Sequence, residues 1–231
     1  MTNINKFISS SGLCSRRQAD RLIKEKRVFI NGRIAIATDK VSDNDEVSVD
    51  KKIIPHTKPK NIYLAFNKPL GVISTTDTTA KDNIMSYIKI PERVFPVGRL
   101  DVKSEGLILL TNDGDLTQKI LKGKVVEKEY EVSVDKTIDE TFLNKLRNGI
   151  MLEGRKTLPA KLEKLSERSF RITIVEGRKR QVRRMCENFN LNVTKLVRIR
   201  IGKIKLDGIP VGKYIDIPSE KIYDLIGLDN K

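Results

Sequence analysis

Residues 94–116, VFPVGRLDVKSEGLILLTNDGDL, contain a charged tetrapeptide between two apolar runs. The runs VFPV and GLILLTN both have the composition of strands. The tetrapeptide Gly98-Arg99-Leu100-Asp101 therefore connects two expected strands. A surface turn is the ordinary interpretation of such a connection, and the rest of the chain decides whether this turn also has a function.

The region from residue 61 to residue 231 is rich in expected strands joined by short turns. Further strands are predicted in NIYLAFNKP, GVISTT, KEYEVSVD, SFRITIVE and NVTKLVRIRIGKIKL, and helices in DLTQKILK, TIDETFLNKLRNG and GRKRQVRRMCENF. Asp115 is the expected cap of the first of these helices, and Thr137 and Glu140 have capping-box spacing at the second. Because hairpin-linked strands dominate, we predict an α+β fold in which helices flank a mixed, largely antiparallel sheet.

Residues 1–50 form a separate small unit in this interpretation. INKFISSSG predicts a short helix, and a second helix opens at Ser15, which has capping-box spacing with Gln18. RVFINGRIA then predicts two strands around an Asn31-Gly32 turn. Residues 51–60, KKIIPHTKPK, are polar and contain two prolines, so they are the expected linker to the larger domain at 61–231.

The positive charge of the chain is concentrated in two segments. The formal net charge is +15, of which residues 1–40 carry +6 and residues 176–205 carry +8. Two basic blocks indicate surfaces that bind a polyanion. Structured RNA, DNA and anionic lipid all fit, but no amphipathic helix with an aromatic anchor supports lipid, so nucleic acid is the first choice.

Several classes of enzyme are disfavoured by the residues that the chain lacks. His56, the single histidine, lies in the expected linker, where a Ser-His-Asp or Cys-His site would have no rigid support. Cys14 and Cys186 are too few for a metal cluster and indicate free thiols in a reducing cytoplasm. No Walker loop, dinucleotide-binding glycine motif, signal peptide or apolar run of about 18 residues is present. We therefore expect a cytoplasmic protein that uses carboxylates, arginines and tyrosines, with no metal or cofactor.

Two resemblances follow from these motifs. SRRQADRLIKEKRVFINGR resembles the S4 RNA-binding domain. VGRLD, together with NKPLGVISTTD, EKEYEVSVD and EGRKRQVRRMCENF in the same order, resembles the RsuA-like family of RNA pseudouridine synthases, which couple an S4 domain to a catalytic domain. The likeness runs from about Ile4 to Leu228. It implies isomerisation of uridine to pseudouridine in ribosomal RNA, with 23S rRNA as the expected target, after the uridine is flipped out of its stack.

The resemblance also implies roles for three residues in catalysis. Asp101 matches the catalytic aspartate, Tyr130 the aromatic residue that stacks on the uracil, and Arg183 the arginine that pairs with the aspartate. The last assignment has partial support from helical geometry, since Arg183 falls at the edge of the apolar stripe formed by Val182, Met185, Cys186 and Phe189. Periodicity alone does not select it.

Other residues are candidates for contacts with RNA. Leu196 matches the apolar wall beneath the base, Arg99 is expected to hold a phosphate or fill the place of the flipped base, and Lys68 either contacts phosphate or stabilises the fold. Basic residues expected to face outward and bind RNA are Arg16, Arg17, Arg21, Lys24, Arg180 and Arg184.

Two other functions are weighed against a synthase. A non-catalytic S4-type ribosome assembly factor fits the composition but does not require Asp101, Tyr130 and Arg183 together. A metal-free hydrolase of glycosidic bonds with paired carboxylates explains Asp101 but neither the S4-like unit nor the basic helix. The expected partner is a structured stem-loop of ribosomal RNA, whether transfer RNA is a second substrate stays open, no membrane is expected, and nothing requires more than a monomer.

Overall fold

The computed structural model describes residues 1–57, 59–122 and 126–227, apart from the side chain of Lys122. The expected linker and catalytic domain thus include a few residues, 58, 123–125 and 228–231, that lie outside the described part. The chain divides into two units, Met1–Asn61 with Ile90–Val94 and Asn112–Gly114, and Ile62–Lys89 with Phe95–Thr111 and Asp115–Lys231.

The N-terminal unit consists of two helices and short strands around one apolar core. Its elements are β1 (Thr2–Asn3), α1 (Ile4–Ser10), α2 (Arg16–Lys24), β2 (Val28–Ile30), β3 (Arg33–Ile34), β4 (Lys40–Val41), β5 (Val47–Val49) and β6 (Lys52–Ile54). Ile4, Ile8, Ala19 and Ile23 bring both helices onto the core. The order β3-β2-β5-β6 forms its sheet.

Local sequence signals in this unit are confirmed. Ser15 caps α2 by accepting from the Gln18 amide at 3.2 Å, and the Gln18 side chain accepts from the Ser15 amide at 2.9 Å. Asn31 and Gly32 both have positive φ, as a two-residue hairpin turn requires. The start of the predicted linker at residues 51–60 is not a linker in the structure, because Lys52–Ile54 pairs with β5 and so belongs to this sheet.

The larger unit is built around one sheet. Its elements are β7 (Tyr63–Lys68), a 3-10 turn (Ile84–Tyr87), β8 (Phe95–Pro96), β9 (Glu105–Thr111), α3 (Gly114–Lys122), β10 (Lys128–Val134), α4 (Glu140–Arg147), β11 (Met151–Leu152), β12 (Arg155–Lys156), β13 (Lys161–Ser166), β14 (Ser169–Ile174), α5 (Gln181–Glu187), β15 (Val193–Ile201), β16 (Ile204–Lys205), β17 (Tyr214–Asp216) and α6 (Ile222–Ile226).

The sheet follows the order β13-β14-β10-β15-β9-β7-β17. Every pairing in it is antiparallel among the described residues except β9 with β15, which confirms the prediction of a mixed, largely antiparallel sheet. Residues 106–111 of β9 are all buried, because the strand lies inside the sheet. Gly106 is required there, since a Cβ would lie 2.4 Å from the carbonyl oxygen of Arg198 on β15.

Three expectations for local structure were wrong. Asp139, not Thr137, caps α4, because its carboxylate accepts from the Phe142 amide at 2.7 Å. Asp115 lies inside the first turn of α3, which begins at Gly114. GVISTT is not a strand, since Ile73 makes only an isolated bridge with Asn83 while its neighbours bind the turn that carries Asp101.

Among the described residues, no helix is long and apolar enough to cross a membrane.

Candidate active site

The turn that carries Asp101 is held at several backbone positions. It connects β8 to β9, and Gly98 opens it with φ +77°. The Ser74 hydroxyl donates to the Leu100 carbonyl at 2.9 Å and accepts from the Leu100 amide at 3.2 Å. The Gly71 amide donates to the Val102 carbonyl at 2.9 Å. The segment that follows β7 therefore fixes the backbone on both sides of Asp101.

Arg183 secures the other end of this turn. Its Nη2 donates to the Lys103 carbonyl and lies 3.5 Å from the Ser104 hydroxyl, while Nη1 donates to the Val193 carbonyl at 3.0 Å. The Ser104 amide in turn donates to the Asp101 carbonyl at 2.9 Å. The α5 side chain thus ties the turn to the start of β15.

The predicted direct pair between Arg183 and Asp101 is not formed. Both residues are described, and no ion pair within 4 Å joins them. The two terminal nitrogens of the guanidinium donate to backbone carbonyls instead, and its buried Nε has no hydrogen-bond partner among the described residues. Burial lowers the pKa of Arg183, which is 6% exposed, and the nearby charge of Asp101 opposes that shift. The Asp101 side chain is partly exposed, and its carboxylate accepts no hydrogen bond from the described residues.

A cleft of about 640 Å³ opens in front of this carboxylate. It brings together five of the predicted site residues, which are Arg99, Asp101, Tyr130, Arg180 and Leu196. Lys68, Arg183 and Arg184 do not contribute to its lining.

Tyr130 and Leu196 come from adjacent antiparallel strands that form one wall of the cleft. Tyr130 lies opposite Arg198, and Leu196 lies opposite Val132, two residues further along β10. Side chains two apart on a strand share a face. Both are nearly buried, at 8% and 6% exposure. An aromatic ring and an aliphatic side chain thus form an apolar surface close to the turn of Asp101.

Arg198 is a cleft residue that the sequence reasoning missed. It is 5% exposed, and its Nε donates to the Leu107 carbonyl at 2.6 Å. Its Nη1 lies 3.5 Å from the Tyr130 hydroxyl, and its guanidinium carbon is 5.9 Å from the centre of that ring. The alternation of Leu196 and Arg198 along one strand was a signal that could have found it.

Lys68 lies in the fold interior, not on an RNA-facing surface. Its side chain is fully buried, and its ammonium donates to the carbonyls of Pro69 and Val72, each at 2.8 Å. Burial lowers the pKa of Lys68 to about 8, although Glu105 and Asp101 partly offset the effect. Of the two roles considered for Lys68, this placement supports stabilisation of the turn after β7.

Three arginines of the larger unit that were predicted to contact RNA differ in whether the protein itself binds their side chains. Arg99 is exposed and makes no hydrogen bond or ion pair with the described residues. Arg180 donates to Glu187 at 3.0 Å, and Arg184 forms an ion pair with Glu153 at 2.8 Å. Arg180 and Arg184 are therefore engaged within the protein, which sequence periodicity did not indicate.

The basic side chains of α2 in the N-terminal unit are more open. Arg16, Arg17 and Lys24 are exposed and have no partner among the described residues. Arg21 is also exposed and forms a 2.8 Å ion pair with Glu25. This helix face presents three uncompensated positive charges to solvent.

In the described ranges, no group of three or more histidine, cysteine, aspartate or glutamate side chains could hold a metal ion.

Two family profiles together match most of the chain. The RNA pseudouridylate synthase profile matches residues 62–188, and the S4 domain profile matches residues 3–47. The first match contains the Asp101 turn, Tyr130 and α5. The second contains α2 and the hairpin that follows it.

Individual relatives agree with the profiles. The chain is 46% identical over 227 residues to the dual-specificity RNA pseudouridine synthase RluF of Escherichia coli (strain K12), covering 97% of this chain and 78% of the relative. It is 36% identical to ribosomal large subunit pseudouridine synthase B of Bacillus subtilis (strain 168), covering 99% and 97%. A crystal structure of a pseudouridylate synthase matches with a TM-score of 0.71 and 31% identity, covering 98% of this chain and all of that one. The chain belongs to the RNA pseudouridine synthase family, with an N-terminal S4 domain.

Proposed function

We propose that this enzyme, which isomerises uridine in RNA as its family does, uses Asp101 as its catalytic residue and acts on a uridine of large-subunit ribosomal RNA. The observation that carries the proposal is the Asp101 carboxylate, which has no hydrogen-bond partner among the described residues and lines the same cleft as Tyr130.

The chemistry suits a carboxylate that works without a metal. The C1′–N1 glycosidic bond of the uridine breaks, the base turns, and C5 forms a bond to C1′. The proton on C5 is lost and N1 gains one, so the product is an isomer of the substrate. An ionised carboxylate can attack C1′ or remove a proton from the ribose, and either role fits Asp101.

The shape of the cleft supports binding of a flipped base. The reacting bond is inaccessible while the base is stacked in RNA, so the nucleotide must leave its helix. Tyr130 offers an aromatic face for stacking, and Leu196 offers an aliphatic surface beside it. Arg99 lines the cleft, is exposed and is unpaired among the described residues, which supports a contact with a phosphate or with the gap that the base leaves.

The choice of ribosomal RNA rests on charge and on the relatives. A basic α2 in an S4 domain suits a structured polyanion. One relative carries the large ribosomal subunit in its name, and others are called dual-specificity enzymes. We therefore take 23S rRNA as the first substrate to test and transfer RNA as the second, with the enzyme acting as a monomer.

Tritium release from RNA containing 5-tritiated uridine tests the proposal, because the C5 hydrogen leaves during isomerisation. Purified protein should release tritium from 23S rRNA, and mass-shift mapping in a strain without the gene should locate a uridine that is no longer modified. A folded protein that binds rRNA and releases no tritium from either RNA would instead support an assembly factor.

A further inference from the structure

The strands β10 and β15 carry charged side chains on both faces of the sheet. The two faces differ in whether carboxylates form ion pairs with the basic side chains. On the face away from the cleft, Arg200 binds Glu129 at 2.8 Å and Glu127 at 3.0 Å. On the same face, Arg171 binds Glu131 at 2.9 Å. Carboxylates therefore compensate these two arginines.

The cleft face of the same strands has two cations without such compensation. Lys128 lies two residues before Tyr130 on β10, and Arg198 lies directly across from Tyr130 on β15. Both line the cleft, and neither has a carboxylate within ion-pair distance among the described residues. Among the described residues, the Lys128 ammonium donates only to the Val126 carbonyl, at 3.0 Å.

Arg198 also has unused hydrogen-bonding capacity. Its Nη2 is buried and has no hydrogen-bond partner among the described residues. A buried donor without a partner costs about 1–3 kcal/mol in general, so its presence calls for an explanation. Burial, and then repulsion from Arg198, lowers the pKa of Lys128. The positive charge of Arg198 thus opposes that of Lys128, and an anion bound between the two side chains would offset this repulsion.

The proposed reaction supplies such an anion. When the C1′–N1 bond breaks, its electron pair stays on N1, and the detached uracil carries a negative charge shared by N1 and the carbonyl oxygens. That charge exists only between cleavage and formation of the C5–C1′ bond. Donors fixed where charge develops stabilise the transition state more than the ground state.

We propose that Lys128 and Arg198 are catalytic residues that bind the detached uracil anion and retain it while it turns from N1 to C5. This inference rests on the proposed function of the Asp101 cleft. It differs from a phosphate-binding role, because a phosphate is charged before and after the reaction whereas the base is charged only during it.

The test compares three full-length variants in single-turnover assays with enzyme in excess. Arg198→Gln and Lys128→Gln remove the cleft cations, and Arg200→Gln is the matched control on the opposite face. At saturation, each cleft variant should react about 100-fold more slowly than wild type, the loss typical of removing one preorganised donor. The RNA dissociation constant and its salt dependence should not change, and Arg200→Gln should react at the wild-type rate.

A second readout follows the base itself. If an unretained uracil anion escapes, water adds at C1′ and takes its place, so base-labelled RNA should yield free uracil and an abasic site. Both cleft variants should raise the ratio of free uracil to pseudouridine above that of wild type. Arg198→Lys keeps the charge and should recover part of the rate lost in Arg198→Gln.

The outcomes separate this inference from the function on which it depends. No tritium release by wild-type protein would remove the proposed function itself. With active wild type, a Lys128→Gln variant that melts normally and reacts at the wild-type rate would overturn the inference. So would weaker RNA binding with an unchanged saturating rate in both cleft variants, since that result describes phosphate binding.

Discussion

The basic residues of α2 and those beside the Asp101 turn show two uses of positive charge. Arg16, Arg17 and Lys24 are exposed and unpaired among described residues, while Arg183 and Arg198 are nearly buried and donate to backbone carbonyls. Exposed charges interact weakly with any one partner but attract a polyanion over the length of a helix. Buried charges have lost their hydration and remain only where fixed acceptors replace it.

This difference in burial predicts which property each substitution should change, RNA binding or the rate of the chemical step. Loss of an exposed arginine on α2 should change how tightly RNA binds and how binding depends on salt. Loss of Arg183 should change the position of the atoms that react, because it holds the backbone of the turn at Lys103, whereas Arg198 donates to Leu107 in β9 and lines the cleft itself. Binding and chemistry are therefore expected to respond to different sets of basic residues.

The largest effect should come from Asp101→Asn. The amide has nearly the same size but cannot attack C1′ or accept a proton usefully, so tritium release should fall by at least about 10⁴-fold. RNA binding and thermal melting should stay close to those of wild type. Substantial turnover by the purified, folded variant would remove Asp101 from its proposed role.

Arg183→Ala should have the next largest effect. The change leaves the carbonyls of Lys103 and Val193 without their donor, which should lower the free energy of unfolding by about 3 kcal/mol. Displacement of the turn by about 1 Å should slow turnover about 100-fold, as measured by tritium release.

Arg184→Ala, on the next residue of α5, is the control for this effect. Its guanidinium binds Glu153, whose side chain is exposed, so the change should weaken RNA binding only mildly. Equal small effects of the two substitutions on turnover would show that Arg183 does not fix the turn.

Removal of the positive charges of α2 should weaken RNA binding and make it depend less on salt. Combined replacement of Arg16, Arg17, Arg21 and Lys24 by glutamine should reduce the magnitude of the log–log salt slope, by about 0.7–0.9 for each phosphate that the protein no longer neutralises. Arg27→Gln is the control, because Arg27 is engaged with Glu25 and Asp50. An unchanged slope in the fourfold variant would show that α2 is not an RNA-binding surface here.

Substitution is a cleaner test than deletion of residues 1–58. Residues 90–94 and 112–114 group with the N-terminal unit, so deletion would remove most of the unit to which they belong. The fourfold substitution leaves the whole N-terminal unit in place.

The smallest effect concerns the pH dependence of stability. Lys68 has a pKa of about 8 in the folded protein and an ordinary value of 10.5, so between these values the unfolded chain binds more protons. Relative to Lys68→Met, the wild-type free energy of unfolding should therefore rise with pH across this window, by up to about 1.4 kcal/mol per pH unit. Denaturant unfolding of both proteins at pH 7 to 10 measures the difference, and parallel curves would contradict the pKa shift.

Sequence reasoning succeeded where the signal was local. The Ser15–Gln18 capping box and the Asn31-Gly32 turn depend on residues within a few positions of one another, and both are present. Even a local prediction was wrong at α4, because two possible capping residues lie close together there. Asp139 caps the helix, not Thr137 as predicted. The strand content and the mixed sheet followed from alternation and short turns.

Local sequence patterns could not predict the long-range interactions that position the side chains of the site. Arg183 contacts Lys103 across 80 positions, and Arg198 contacts Leu107 across 91. Helical periodicity placed Arg183 at the edge of an apolar stripe but gave no information about its acceptor. Arg198 was missed because an arginine in a strand is usually exposed. Alternation with Leu196 indicates which face it shares, but its burial depends on the order of the strands in the sheet.

The claim that α2 contributes to RNA binding but not to the chemical step is tested most directly by one rate constant. In single-turnover assays with saturating enzyme, the variant with four neutralised α2 residues should reach the wild-type rate constant for tritium release, although it needs a higher protein concentration to do so. A saturating rate that falls towards that of Asp101→Asn would show that α2 takes part in the chemical step, and would contradict the division of roles between the two units.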